Sequence, residues 1–238
     1  MGVTKTDYMR GIQCPKMLWL DKHMPEKRVI PPNVQQRLDD GNAFGDKAMG
    51  MFGPYVETTA YREDGKLDYV QMIKNTKTLL ESGENVVCEG AFAYFGCYCA
   101  TDILKKVPGG RDLYEVKNST EVKPQFIKDI GFQCFVARKS GVRIQRMYIV
   151  YRNADAKENE SPFLIQDVTE EADAFARTVG DHIFRLGRIK AQRYEVEQEM
   201  GPQCDEPYEC WYKDYCKSLV GKPRDWHVTR GYDDGWRI

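Results

Sequence analysis

The sequence lacks several features that would assign it to a familiar class. None of its 238 residues lies in a run of about 18 apolar residues, which excludes a transmembrane helix. The first residues carry no apolar segment of a secretory signal, so we expect a cytoplasmic protein. The 35 basic and 36 acidic residues leave a net charge of −1, which argues against a histone-like binder but permits a local basic groove.

Histidine is also scarce, with three residues, whereas cysteine is not, with eight. In the absence of a secretory signal, so many cysteines indicate a reducing compartment. There they serve as buried thiols, metal ligands or reactive groups rather than as disulfides. Cys88, Cys97, Cys99 and Cys134 fall within predicted strands and a helix, and we expect them to be small buried apolar residues.

Hydrophobic periodicity predicts helices on both sides of a strand region. The predicted helices span residues 6–22, with a break at Cys14-Pro15, and residues 34–51, 69–81, 124–140 and 169–186. The predicted strands span residues 86–94, 97–104, 112–118 and 144–151, with a tight turn near Phe95-Gly96. This order predicts an α/β fold, a mixed β-sheet flanked by helices.

We expect a single domain over residues 1–238 that contains four segments. An N-terminal helical segment, 1–33, carries Cys14, and the α/β core follows over residues 34–197. A cysteine-rich segment, 198–217, is dense in proline and aromatic residues and should be irregular. A tail, 218–238, completes the chain.

The most informative motif lies in the strand region. Asp102 is in one predicted strand, and Glu115 and Lys117 are in the next. Alternation along a strand puts Glu115 and Lys117 on one face, and strand pairing brings Asp102 close to Glu115. Two carboxylates that converge in this way suit magnesium or manganese. Glu89 on the preceding strand can add a third acidic group, and Gln133 lies on the following helix.

This group of side chains suits the hydrolysis of a phosphodiester. A divalent cation polarises the phosphoryl oxygen and acidifies a bound water. Lys117 can orient that water or stabilise the charge that develops on phosphorus. The alternative is an ordinary solvated strand, because Glu-x-Lys is common on surfaces, but polar residues at buried strand positions require a reason.

Three cysteines in the C-terminal segment, Cys204, Cys210 and Cys216, are separated by five residues each time. Their spacing indicates metal ligands, with Cys14 as a plausible fourth. An iron–sulfur cluster takes four thiolates and tolerates wide spacing, whereas zinc sites more often use close pairs. An iron–sulfur site, a zinc site and ordinary free thiols all remain open on spacing alone.

Basic residues cluster in sequence around the Glu115 motif. Lys123, Lys128 and Arg138 are candidates for contact with a DNA strand. The alternative for each of them is a solvated surface charge.

The order of these features resembles a known family. One cysteine precedes an Asp…Glu-x-Lys core, a glutamine helix follows, and three cysteines end the series. The opening residues 4–8 and 13–20, the motif at 114–119 and the segment 207–210 carry the likeness. Together they resemble the RecB-like nucleases of the PD-(D/E)xK superfamily that contain a 4Fe–4S cluster. That group includes the CRISPR-associated adaptation exonuclease and the nuclease domain of the AddB subunit, and the resemblance covers residues 4–217.

The resemblance implies a restriction-endonuclease-like core and a role for each motif residue. Asp102 and Glu115 would bind magnesium or manganese, with Glu89 as a further acidic position. Lys117 would be the catalytic lysine, and Gln133 the helix glutamine. The 4Fe–4S cluster would be bound by Cys14, Cys204, Cys210 and Cys216.

The function that the resemblance implies is a metal-dependent exonuclease that prefers single-stranded DNA. Its partners would be CRISPR adaptation or DNA-repair proteins, with no membrane. Members of the family often carry a metal-binding histidine in the first core helix, where this chain has Gly45, with Asp40 and Asp46 as nearby substitutes. That departure leaves a second reading open: a DNA-binding adaptor of the same fold that is weakly active or inactive.

Overall fold

The structure is a computed structural model that describes residues 2–221. Of the predicted tail, residues 222–238 lie outside this described part. The elements follow in chain order as α1 (Lys5–Gln13), α2 (Pro15–His23), α3 (Val34–Met49), β1 (Val56–Glu57), α4 (Tyr69–Ser82), β2 (Val86–Tyr94), β3 (Cys97–Val107), β4 (Gly110–Lys117), α5 (Pro124–Lys139), β5 (Ile144–Arg152), β6 (Phe163–Asp167), α6 (Thr169–Ala176), α7 (Val179–Ala191) and α8 (Lys213–Ser218).

The described chain divides into two compact units. Residues 2–5 and 33–180 form one, which we call the sheet unit. Residues 6–32 and 181–221 form the other, which we call the cysteine unit. No helix in the described part is long and apolar enough to cross a membrane.

The sheet unit is built on one six-stranded sheet with the order β1-β2-β3-β4-β5-β6. Strands β2, β3 and β4 pair antiparallel, as do β5 and β6, whereas β1 with β2 and β4 with β5 pair parallel. Helix α4 packs on β2, helix α3 contacts β3 and β4, and α5 contacts β2 to β5. The prediction of an α/β fold with a mixed sheet flanked by helices is therefore confirmed.

Local signals explain where several of these elements begin and end. The Asp68 carboxylate accepts a hydrogen bond from the Gln71 amide at 2.9 Å and caps α4. Pro124 begins α5, where a missing amide hydrogen has no effect on the helix. The β2–β3 turn has positive φ at both Phe95 and Gly96, 49° and 79°, which suits the twist of a two-residue hairpin.

Four features differ from the predicted order, and one of them is α8, a short helix in the segment 198–217 that was expected to be irregular. The helix predicted over residues 169–186 is interrupted between α6 and α7. At that break, the Thr178 hydroxyl donates to the Phe175 carbonyl at 2.8 Å and competes with the helical backbone. Strands β1 and β6 were not predicted: β1 has two residues, and β6 lacks the alternation that marks a half-buried strand.

The cysteine unit contains α2, α8 and most of α1 and α7. The predicted break at Cys14 separates α1 from α2, and Pro15 begins the second helix. Trp19 is fully buried, its indole nitrogen donates to the Gln192 carbonyl at 3.1 Å, and the His23 ring stacks on it at 4.5 Å. These contacts anchor α2 against the chain that follows α7.

Candidate functional site

Three acidic residues occupy adjacent positions on three neighbouring strands of the sheet unit. Glu89 of β2 stands opposite Asp102 of β3, between the pairs Cys88–Ile103 and Gly90–Thr101. Glu115 of β4 lies one position beyond the last recorded β3–β4 pair, Ile103–Tyr114. The predicted approach of Asp102 and Glu115 across paired strands is therefore present in the sheet.

The Asp102 side chain forms a hydrogen bond with β4 at the point where the backbone pairing of β3 with β4 ends. One of its carboxylate oxygens accepts a hydrogen bond from the backbone amide of Val116 at 2.6 Å. The amide is thus satisfied by a side chain rather than by the neighbouring strand, and the Asp102 carboxylate is fixed beside β4. This arrangement positions one acidic group at the point where the Glu115 side chain leaves the sheet.

Lys117 forms a double ion pair on the same face as Glu115. Its Nζ lies 2.5 Å from Glu115 Oε1 and 2.6 Å from an oxygen of Asp129, a residue of α5. The Glu115 side chain is 2% exposed and that of Asp129 is 11% exposed, so both carboxylates lie in a desolvated environment. Strand alternation therefore places Glu115 and Lys117 as predicted, and Asp129 is an additional member of the group.

Gln133 supports both carboxylates from α5. Its Nε2 donates to Glu115 Oε2 at 2.6 Å and to Asp129 Oδ1 at 3.0 Å. Asp129 and Gln133 are four residues apart and lie on one helix face. The Gln133 side chain is fully buried, and its Oε1 has no hydrogen-bond partner. An unpaired buried acceptor of this kind is unusual and is suited to a donor such as water.

Lys5 brings a second ammonium group to the same carboxylates. Its Nζ lies 3.4 Å from Glu115 Oε1 and 3.3 Å from Asp129 Oδ1. The residues just before it dock on the β2–β3 hairpin, where the Val3 amide donates to the Gly96 carbonyl at 3.2 Å. The N-terminal segment of the sheet unit therefore delivers a charged side chain to the acidic cluster.

Burial and mutual repulsion perturb the pKa values of the acidic residues. Burial raises the pKa of Glu89 to about 7, and the Glu115 charge adds to this effect. The pKa of Glu115 is raised by burial and then by Asp102 and Asp129. Burial would also raise the pKa of Asp129, but the ammonium groups of Lys117 and Lys5 outweigh it and hold this pKa well below its usual range.

The four carboxylates and two ammonium groups form a cluster with an excess of negative charge. With all six groups ionised, two negative charges remain without a balancing cation. Bound divalent cations commonly balance such carboxylate clusters. As the side chains stand, the described residues include no group of three or more His, Cys, Asp or Glu that could hold a metal ion.

Glu89 adopts a backbone conformation that is uncommon for a residue with a side chain. Its φ is 55°, in the left-handed region, although it lies within β2. The Thr58 hydroxyl donates to the Glu89 carbonyl and stabilises this local distortion. A strained non-glycine residue costs about 1 kcal/mol or more, and such residues occur often at functional sites.

The first core helix places one acidic residue near the cluster. The Asp46 charge contributes to the raised pKa of Glu89. The Asp40 carbonyl instead accepts a hydrogen bond from the Asn118 side chain at 3.2 Å. Of the two substitutes considered for a first-helix ligand, Asp46 is thus the one whose charge acts on the acidic group.

The three basic candidates for DNA contact lie at two places, near the beginning and near the end of α5. Lys123 and Lys128 line an open depression at the start of the helix. Arg138 is near its other end, roughly 22 Å from Lys123 at 1.5 Å per helical residue. Its guanidinium pairs with Asp173 at 2.5 Å and donates to the Ile144 carbonyl at 2.9 Å. The structure therefore brings together two of the three candidates.

In the cysteine unit, Cys14, Cys204, Cys210 and Cys216 line one pocket. Cys14 stands at the N-terminus of α2, where burial raises its pKa and the amides of Met17 and Lys16 oppose the rise. Burial raises the pKa of Cys216 to about 11. None of the eight cysteines forms a disulfide, and the four that were predicted to be buried apolar residues are buried.

Two members of the acidic cluster, Asp129 and Lys5, were not predicted from the sequence as part of the site. Asp129 had an available signal, because it stands one helical turn before Gln133 on the same predicted face. No sequence signal indicated Lys5. Its position depends on a contact between Val3 and Gly96, which are more than 90 residues apart in the chain.

No protein-family model and no curated protein matches this chain. Among solved structures, it is similar to a protein from Eubacterium rectale described as a "putative exonuclease", with 14% identity, a TM-score of 0.49, and coverage of 94% of this chain and 90% of that one. It is also similar to the protein SSO0001, with 13% identity, a TM-score of 0.39, and coverage of 77% and 76%. Both scores are too low to establish a shared fold, so the fold rests on the geometry described above.

Proposed function

We propose that this protein is a divalent-cation-dependent nuclease that hydrolyses phosphodiester bonds in DNA. One observation carries the proposal: the Lys117 ammonium lies between the buried carboxylates of Glu115 and Asp129, beside Asp102. A solvated surface motif would not bury two carboxylates this completely. The cluster therefore has the composition of a site that handles a phosphate and a metal ion.

The donor set of this cluster fits magnesium or manganese. Its ligands are carboxylate oxygens, which hard divalent cations prefer, and its excess negative charge favours a cation. Asp102 and Glu115 would bind the ion, with Glu89 as a further ligand. When bound, the ion polarises the phosphoryl group and lowers the pKa of water. The unpaired Gln133 Oε1 offers an acceptor for a water molecule at the same place.

The surrounding side chains have separate tasks in this proposal. Lys117 stabilises negative charge on the phosphoryl oxygens and orients the attacking water. Burial would lower the pKa of Lys117, but the charges of Asp129 and Glu115 outweigh it and hold this pKa well above its usual value, so the side chain stays protonated when it meets a phosphate. Gln133 fixes the orientations of Glu115 and Asp129 through its two hydrogen bonds, so the carboxylates need little rearrangement during the reaction.

The finer features of the proposal rest on the family resemblance. These are exonuclease action, a preference for single-stranded DNA and a place in CRISPR adaptation or DNA repair. Lys123 and Lys128, which share one depression, are the proposed contacts with the DNA backbone. Arg138 is a weaker candidate, because its guanidinium is already engaged by Asp173.

We further propose that the four cysteines of the pocket bind a 4Fe–4S cluster with a structural role. Support comes from the pocket itself, which joins Cys14 to three cysteines that follow it by about 200 residues in sequence. Four thiols suit either a 4Fe–4S cluster or zinc, and the resemblance favours the cluster. Because the ligands connect distant segments, the cluster would stabilise the cysteine unit rather than take part in hydrolysis.

Substitution of a pocket cysteine tests the cluster. In protein purified without oxygen, Cys210→Ser should lose the brown colour and iron of the wild type and melt at a lower temperature. Cys99→Ser, at a buried cysteine of the sheet unit, should keep both iron and colour. An unchanged iron content in Cys210→Ser would contradict the cluster, and zinc without inorganic sulfide would replace it by a zinc site.

A cleavage assay tests the nuclease. The protein is incubated with end-labelled single- and double-stranded DNA and manganese or magnesium, beside Lys117→Ala and the control Lys77→Ala. Lys77 is exposed on α4 and pairs with Glu81, one turn further along the same helix. We expect cation-dependent cleavage that falls at least about 100-fold in Lys117→Ala and persists in the control. Equal cleavage by all three proteins would assign the activity to a contaminant.

A second candidate is a DNA-binding adaptor that has lost catalysis. It is favoured by the two ammonium groups that already pair with Glu115 and Asp129, and by Gly45 in the first core helix. The adaptor would bind DNA as tightly as an active nuclease does, but it would cleave no DNA with any divalent cation. The same assay, combined with a DNA-binding measurement, distinguishes the two functions.

A further inference from the structure

Lys5 is attached to the acidic cluster through an anchored segment of backbone. Thr4 forms a parallel bridge with Tyr98, and Val3 is buried with 2% of its surface exposed. At Gly2 the chain passes so close to the hairpin that an added Cβ would lie 2.3 Å from the Gly96 carbonyl oxygen. These contacts fix the Lys5 backbone, so its long side chain reaches the carboxylates from a defined position.

The oxygens of Glu115, which a cation would use, and those of the neighbouring Asp129 already face donors. Glu115 Oε1 faces both lysines and Oε2 accepts from Gln133. Asp129 Oδ1 faces Lys5 and Gln133, and its Oδ2 faces Lys117. A cation that binds at Glu115 Oε1 therefore competes with the two ammonium groups that face this oxygen.

Lys5 is the donor that is easiest to displace. Its two contacts, 3.4 and 3.3 Å, are longer than the 2.5 and 2.6 Å contacts of Lys117. Its side chain is also more exposed, 31% against 20%. Lys117 has an additional contact with the Phe126 ring at 5.6 Å, which Lys5 does not share. Lys5 can thus move into solvent while Lys117 keeps its place.

We propose that Lys5 is a tethered counter-ion that competes with a divalent cation for Glu115 and thereby sets the cation affinity of the site. This inference rests on the proposed function. Because the ammonium is attached to the chain, its effective concentration at the carboxylates is high. A monovalent ion gains too little from the same oxygens to replace it, whereas a doubly charged ion gains about twice the Coulomb energy. Lys5 would therefore make the site selective for divalent cations.

Titration calorimetry on the full chain, freed of divalent cations, tests this inference without using activity. Manganese chloride is titrated into the wild type, Lys5→Met, Lys5→Arg and the control Lys77→Met. We expect Lys5→Met to bind manganese about tenfold more tightly, since it removes two partly exposed charge pairs, each of which changes a binding constant by up to about fivefold. Lys5→Arg and Lys77→Met should remain within about threefold of the wild type. Circular dichroism confirms that each variant is folded.

Several results would overturn the inference. Equal manganese affinity in Lys5→Met and the wild type would mean that Lys5 does not compete, while the proposed function would stand. Weaker binding in Lys5→Met would make Lys5 an aid to cation binding instead. No manganese binding to either protein would overturn both the inference and the cation dependence of the proposed nuclease. If Lys5→Met does not fold, a tenfold gain for Lys5→Gln supports the inference and an unchanged affinity overturns it.

Discussion

At the scale of single residues, the acidic cluster is defined by carboxyl groups in a poorly solvated place. Burial raises the pKa of Glu89 to about 7 and also raises the pKa of Glu115. Asp129 behaves in the opposite way, because Lys117 and Lys5 lie against it. The same chemical group thus has different proton affinities at neighbouring positions, and the difference follows from which charges surround it.

The raised pKa of Glu89 predicts how stability changes with pH when no cation is present. An acid whose pKa is higher in the folded state stabilises the fold fully below its unfolded pKa, and this contribution is lost as pH rises through 7. Each pH unit between the two pKa values costs about 1.4 kcal/mol. In EDTA, we therefore expect the wild type to lose about 2 kcal/mol more than Glu89→Gln between pH 5 and pH 8.

Urea unfolding at the two pH values measures this difference. Glu121→Gln, at an exposed carboxylate with a side chain 71% accessible, is the matched control and should follow the wild type. A parallel pH dependence in the wild type and Glu89→Gln would contradict a carboxyl group that resists ionisation in the folded protein.

The residues of the site differ in how far the sequence could predict them. Glu115 and Lys117 share a face because strands alternate, and this local rule depends on no other part of the chain. Asp129 needed one further inference, that the helix face carrying Gln133 also carries the residue four positions earlier. The Lys5 position depends on the pairing of Val3 with Gly96, which no local pattern encodes.

At the scale of elements, α5 organises the site and is itself fixed at its far end. Asp129 and Gln133 contact the β4 side chains from one face of the helix. Near the C-terminus, Arg138 connects α5 to Asp173 of α6 and to the Ile144 carbonyl at the start of β5. Arg138 thus has a structural task, although its type and sequence position suggested DNA contact.

Two substitutions on α5 separate a structural role from DNA binding. Arg138→Ala should lower the free energy of unfolding by about 1 kcal/mol, through the loss of two hydrogen bonds, and leave DNA affinity unchanged. Lys128→Ala should leave stability unchanged and lower DNA affinity with a smaller salt dependence, as expected for a phosphate contact. Denaturation and fluorescence anisotropy measure the two effects. A loss of DNA affinity in Arg138→Ala at constant stability would restore Arg138 as a DNA contact.

The elements themselves were predictable where a periodic pattern coincided with a local stop signal. Helix α5 runs from Pro124 to Lys139, against a predicted 124–140, because a proline begins it and Gly141 follows it with φ of 94°. Strand β6 escaped prediction because both of its faces are largely exposed and its pairing partner, β5, supplies the order. At the break between α6 and α7, the hydroxyl and the backbone amide of Thr178 both donate to the Phe175 carbonyl, and periodicity does not detect such contacts.

At the scale of the whole molecule, the oxygen donors and the thiol donors lie in different units. Carboxylates, lysines and one glutamine form the cluster of the sheet unit, whereas four thiols line the pocket of the cysteine unit. Oxygen donors suit hard cations and thiolates suit iron–sulfur clusters or zinc. In the proposed function, the sheet unit would perform the hydrolysis, and the cysteine unit would be stabilised by an iron–sulfur cluster or zinc.

We propose that a divalent cation binds at Asp102 and Glu115, beside Lys117. Crystals grown with manganese and a short DNA strand, measured for anomalous scattering, test it most directly. We predict a manganese peak within about 2.4 Å of oxygens from both carboxylates, with a phosphate oxygen as a further ligand. The absence of a peak at these residues, with manganese bound elsewhere or not at all, would contradict the assignment of this cluster as the nuclease site.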